Sequence, residues 1–162
     1  MPAVFFFFRD AATARDYIRV MTTTIQTIRD DFSLLDEWED RYRYVIELGE
    51  ALPPFPDQQR NAANKVPGCV SQVWLTTERG TGANPVINFT GDSDAHIVRG
   101  LVAIVLALFS GQTASKILET DAEATLKTLG LDEHLSPQRA NGLRSMVKRI
   151  KRDAEAALKQ TA

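Results

Sequence analysis

Apolar positions along the chain switch between helical and strand-like spacing. Ile25, Ile28, Phe32 and Leu35 recur three and four residues apart, which predicts an amphipathic helix from about Thr24 to Leu35. Asp36 with Glu39 three residues later is a capping-box signature for a second helix. Trp38, Tyr42, Val45 and Ile46 form one face of that helix, with Leu48 beside it, and Pro53-Pro54 ends it. Residues 53–68 read as a polar loop, and connections of that length tend to carry function. The loop closes on Pro67-Gly68, the favoured central pair of a type II turn.

From Cys69 to Thr76 the pattern alternates. It predicts a strand with Cys69, Ser71, Val73 and Leu75 on one face and Val70, Gln72 and Trp74 on the other. Residues 80–84 make a hairpin-like connection, and Val86 to Phe89 is the next strand. Gly91-Asp92-Ser93-Asp94 reads as a turn with a choice of N-caps. The segment from about Ala95 to Ser110 is apolar nearly all round, so it is a buried central helix, stopped by Gly111. Gly100 inside it costs about 1 kcal/mol relative to alanine, which marks a close approach of another backbone. Two short helices, Ala114–Glu119 and Ala122–Leu129, end at Gly130, and a polar Asp-Glu-His linker follows. Ser136-Pro137 opens a last helix to about Lys159, with Leu143, Met146, Val147, Ile150 and Leu158 inward. Helices, then a small antiparallel sheet, then helices, predict an α+β fold with the sheet packed against helices.

Composition narrows the chemistry. A chain of 162 residues with 44% hydrophobic and 25% charged residues can bury a sizeable core. A formal net charge of −2 favours neither nucleic acid nor an anionic membrane as partner. The longest apolar run, Leu101 to Phe109, falls far short of the roughly 20 residues that span a bilayer. Met1 to Phe8 is phenylalanine-rich but has no basic n-region, so it makes a poor secretory signal. Residues 1–20 are read as an extension, disordered or owed to a start codon placed upstream of Met21, and 21–162 as a single domain. The acidic residues between Asp30 and Glu50 and the cations of the last helix are read as solvated faces.

The chain has one cysteine. Alone, it makes no internal disulfide and no Cys-rich metal site, and it suits a reducing compartment. Its place after a Pro-Gly turn suits a thiol that meets a partner, while free cysteines are among the most buried residues, which on the residues alone favours a packed, inert thiol. The residues by themselves leave both readings open. His96, in the first turn of the central helix, and His134, in the polar linker, are the available imidazoles; each is read as non-catalytic, and no metal-ligand spacing is present. Arg60 and Lys65, in the loop before Cys69, are expected to favour its thiolate.

The segment Val66-Pro67-Gly68-Cys69-Val70-Ser71-Gln72-Val73-Trp74 resembles the active-cysteine segment of the SufE family of cysteine desulfuration proteins. Leu48 to Pro53, Gly91 to Leu101, and His134 to Arg139 with Gly142, Leu143 and Met146 resemble three further segments of that family in the same order. The resemblance spans roughly residues 24 to 158. It implies a SufE/IscU-like α+β fold, related to iron–sulfur scaffold proteins. It implies a sulfur carrier whose cysteine, matching Cys69, accepts persulfide sulfur from a pyridoxal-phosphate cysteine desulfurase, stimulates that enzyme, and passes the sulfur to an iron–sulfur scaffold complex. It also implies candidate loop or partner-surface residues at Asp94, Arg139, Gly68 and Ser71, a homodimer, a cytoplasmic location, no cofactor or metal of its own, and no independent turnover. If the Cys69 face of the strand points inward, the resting sulfur is shielded and the loop 53–68 must move for transfer. The rival readings are a stand-alone thiol enzyme using Cys69 with His96, and a non-catalytic adaptor.

Overall fold

The computed structural model describes residues 23–160, so the expectations for residues 1–20 lie outside the described residues. Within them, seven α-helices surround a three-stranded antiparallel sheet. In chain order these are α1 (Ile25–Leu34), α2 (Trp38–Glu50), β1 (Val73–Arg79), β2 (Val86–Ser93), α3 (His96–Phe109), β3 (Gln112–Thr113), α4 (Ala114–Glu119), α5 (Ala122–Thr128), α6 (Leu131–His134) and α7 (Pro137–Lys159).

The nearly all-apolar α3 is the centre of the core, as its composition requires. It meets β2 on one side, α7 on another, and α2 where two glycines face each other. A Cβ on Gly49 would stand 2.6 Å from Gly100 N, and one on Gly100 would strike Val45 O. Gly100 therefore gives up helix propensity so that two helices can touch backbone to backbone.

The expected capping box at Asp36 does not form. Glu37 is the N-cap residue of α2 and makes no side-chain cap bond. The short link from α1 is held from the other side, by Arg41 donating to Leu35 O at 2.6 Å and to Phe32 O at 3.2 Å. The polar linker before Leu135 is a single helical turn, α6, that begins after the left-handed Gly130.

Both β1 and β2 differ from their sequence patterns. β2 runs on through Gly91, Asp92 and Ser93, which pair with Leu75, Trp74 and Val73. Gly-Asp-Ser has turn chemistry, but pairing with β1 overrides it; a Cβ at Gly91 would come within 2.8 Å of both Leu75 and Val102 side chains. β1 begins at Val73 and not at Cys69, so Cys69 and Ser71 share no strand face with Val73 and Leu75. The backbone of Gln72 is taken out of the ladder by its neighbours: Gln72 N donates to an Asp94 carboxylate oxygen at 3.0 Å, and Ser93 Oγ donates to Gln72 O at 2.7 Å. Val73, Trp74 and Leu75 are all buried, because residues 64–66 cover the free edge of β1. Val66 N donates to Val73 O at 2.8 Å and Leu75 N to Asn64 O at 2.9 Å. The 53–68 loop is thus an ordered strap that also carries a 3-10 turn at Asp57–Gln59, and it covers a sheet edge.

Asp92 anchors this strap. Its carboxylate, 6% exposed, accepts from Arg60 Nη2 at 2.7 Å and Nε at 3.1 Å, and from Arg99 Nε at 2.8 Å. Burial alone would raise its pKa. The hydrogen bonds from Arg60 and from the Ser93 backbone, with the charges of Arg99 and Arg60, outweigh that and hold it below the ordinary 3.8. A carboxyl depressed in the fold is more acidic there than in the unfolded chain. Its stabilisation is therefore present above the ordinary carboxylate range and disappears as pH falls through the lower folded value. Replacing Asp92 by alanine leaves two half-buried guanidinium groups without their carboxylate and is expected to cost about 3 kcal/mol in urea unfolding at neutral pH. The loss should shrink as pH drops below the ordinary carboxylate range; a variant that stays as stable as the parent at pH 7 would refute this role.

Candidate functional site

The loop between the strap and β1 is shaped by Pro67-Gly68. Gly68 has φ +87°, and a Cβ on it would stand 2.6 Å from Ser145 Oγ on α7, so glycine is demanded both by the turn and by close packing. The next residue, Cys69, is thereby laid against the N-terminal half of α7. Its thiol is half-buried and donates to Gly142 O at 3.5 Å. A Cβ on Gly142 would sit 3.5 Å from Sγ and 3.8 Å from Cys69 Cα and Cβ, which are ordinary contact distances.

A groove of about 360 Å³ opens beside the sulfur. The loop supplies Cys69, Val70 and Ser71; α3 supplies Val98 and Leu101; the start of α7 supplies Ser136, Gln138, Arg139, Gly142 and Met146. Its floor is apolar and Arg139 is the cation of its lining, an exposed side chain at the first turn of α7. Ser136 Oγ caps that turn by accepting from Arg139 N at 3.3 Å. Val70 projects outward beside the groove at 77% exposure.

The candidate residues thus fall into two groups. Cys69, Ser71 and Arg139 share the groove, whereas Gly68 sets the turn before it. Asp94 lies outside the groove and grips the far end of the loop: its carboxylate accepts from Gln72 N at 3.0 Å and Gln72 Nε2 at 3.5 Å, while Asp94 N donates to Gln72 O at 3.3 Å. His96 is exposed at the start of α3 and is not part of the groove lining. His134 is occupied elsewhere, its ring stacked on Trp38 with centroids 3.6 Å apart and an 18° tilt. No group of three or more metal-ligating side chains occurs among the described residues.

Burial pushes the Cys69 thiol up from its ordinary 9.0. The expected help from Arg60 does not arise, since that guanidinium is spent on Asp92 and Asp57. Lys65 bridges to Trp74 through the backbone and contributes nothing that lowers the thiol. The resting sulfur is therefore a protonated thiol, sheltered by α7 and not by a strand face. Val98, Leu101, Ser136 and Gln138 also lie in segments that the family resemblance marks, but nothing in the sequence placed them beside Cys69. Gly142 and Met146 were visible as a motif, though not as neighbours of Cys69.

The chain as a whole is similar to known proteins. The family model for the SufE Fe-S metabolism associated domain matches residues 26–154. An uncharacterized SufE-like protein of Rhizobium meliloti (strain 1021) is 61% identical over 137 residues, covering 84% of this chain and 98% of the relative. A second, from Rhizobium etli, is 58% identical over 138 residues, covering 85% and 93%. A hypothetical protein from Thermus thermophilus, known from its solution structure, shares the fold with a TM-score of 0.65 at 18% identity, covering 83% of this chain and 96% of that one.

Alkylation of Cys69 in the free protein should be slow at pH 7 and accelerate through a midpoint above 9.0, because only the thiolate reacts and burial disfavours it. Asp94→Ala should speed alkylation at pH 7 by about fivefold, the factor that corresponds to losing roughly 1 kcal/mol of hydrogen bonding at Gln72. A midpoint below 9.0, or an Asp94→Ala rate equal to the parent's, would contradict this account of the shelter.

Proposed function

Because the chain belongs to the SufE family of Fe-S metabolism associated domains, we propose that it carries sulfane sulfur as a persulfide on Cys69. The observation that carries the reading is a lone thiol seated beside an open groove. Neither imidazole belongs to the groove, which speaks against a stand-alone thiol hydrolase.

The chemistry is thiol–disulfide exchange with a persulfide. Cys69 thiolate attacks the terminal sulfur of a donor persulfide; the new S–S bond forms as the donor's S–S bond breaks; the donor leaves as a thiolate. No net oxidant is needed. One thiol suffices, and a second nearby cysteine would discharge the carrier as a disulfide. A pyridoxal-phosphate cysteine desulfurase is the donor, an iron–sulfur scaffold complex is the acceptor, and the cytoplasm is the compartment. Among the described residues no helix is long and apolar enough to cross a membrane.

The raised thiol pKa gives the donor a task. A sheltered, protonated Cys69 is a poor nucleophile, so docking must release the loop or bring charge that favours the thiolate. Asp94 is a positioning residue that keeps the loop closed until docking, and Gly68 and Ser71 shape the turn around the sulfur. Arg139, at the groove rim, offers a cation to an incoming persulfide anion. Val70, exposed beside the thiol, gives the donor an apolar contact. A homodimer of the chain is compatible with this cycle and is not needed for it.

Incubation with a cysteine desulfurase and sulfur-35 cysteine should place label on Cys69, seen as one added sulfur in the intact mass and removed by a thiol reductant. The same mixture should release alanine faster than the desulfurase alone. Cys69→Ser should abolish both effects. Label that lodges nowhere on the parent protein, or stimulation that survives Cys69→Ser, would end this reading.

A further inference from the structure

Cys69 meets Gly142 in a way that a sulfur-loaded cysteine cannot repeat. In the empty state Sγ–H points at Gly142 O across 3.5 Å. Loading replaces that proton with a sulfur atom on a bond of about 2.05 Å, which along the same direction would leave about 1.5 Å to the oxygen. That is far inside contact distance, so the hydrogen bond and the second sulfur exclude each other. The loaded side chain must turn off the carbonyl. The open direction is the groove, and its near wall is Gly142 itself, whose Cα carries no side chain to block the turn.

We propose that Gly142 is a positioning residue that separates empty from loaded Cys69: its carbonyl takes the S–H of the empty thiol, and its missing side chain leaves room for the second sulfur to turn into the groove. This rests on the persulfide reading of Cys69. The empty thiol is held down as a hydrogen-bond donor against α7. The loaded sulfur lies over Gly142, between the apolar floor of Val98, Leu101 and Met146 and the cation Arg139. A donor and an acceptor of sulfur then meet two different surfaces on the same loop.

The test uses the full chain with carbon-13 at glycine carbonyls, loaded by sodium polysulfide and checked by the gain of one sulfur in the intact mass. The Gly142 carbonyl resonance should move upfield on loading, as a carbonyl that loses its donor does, and should move the same way in Cys69→Ala. A Gly142 signal unmoved in the loaded protein overturns the proposal. The second arm is Gly142→Ala. Its methyl makes only ordinary contact with the empty thiol, so alkylation should stay within about twofold of the parent, whereas overpacking of the loaded seat should let dithiothreitol strip the sulfur at least about tenfold faster. Equal stripping rates overturn the proposal. So does an equal acceleration of alkylation and stripping, which marks a merely structural role. Because polysulfide does the loading, a protein that shows the shift yet accepts no sulfur from a desulfurase ends the carrier reading alone. One that accepts it without the shift ends only the role of Gly142.

Discussion

Where α2 crosses α3, two glycines let the backbones touch, and the position of everything else follows from that crossing. A methyl group on either residue would push α3 away from α2 by more than a close-packed core tolerates. With α3 held there, its other faces meet β2 and α7, and its first two turns present Val98 and Leu101 to the space beside α7. That space is the groove. A contact on one side of the core therefore sets the geometry of the sulfur site on the other.

The loop that bears Cys69 is held at three places by different forces. Asp92 gathers Arg60 and Arg99 and fixes the strap before the loop, an ionic contact made strong by partial burial. Asp94 holds Gln72 at the loop's far end through exposed hydrogen bonds, which are individually weak. Between them the thiol rests on Gly142 with a weak S–H donor. The hierarchy fits the proposed carrier role: the frame is held by a buried ionic contact, and the cysteine loop by individually weak hydrogen bonds.

Several features were legible along the chain for physical reasons that do not depend on context. A glycine in the middle of an apolar helix has few explanations, so the close approach at Gly100 could be anticipated, though not that Gly49 and Val45 would be what approaches. Ser136-Pro137 and Gly130 mark helix ends because their backbone preferences are local. Local chemistry misled where a longer-range partner competed. The alternation after Gly68 looked like a strand until the Asp94 carboxylate and Ser93 hydroxyl claimed the Gln72 backbone. Gly91-Asp92-Ser93 looked like a turn until β1 paired with it. Asp36 looked like a cap, yet Arg41 organised that corner instead.

The sequence by itself determined most of the helical content, the α+β order, the ends of the last helices, and the chain's one thiol, because periodicity, capping and residue identity are properties of neighbouring positions. Only the tertiary structure decided that this thiol faces a glycine carbonyl seventy-three residues away, that burial keeps it protonated, and that an apolar groove with one arginine opens beside it. Those are consequences of which surfaces meet across the core, and the distances and solvent exclusion they create are not encoded in any local stretch of the chain.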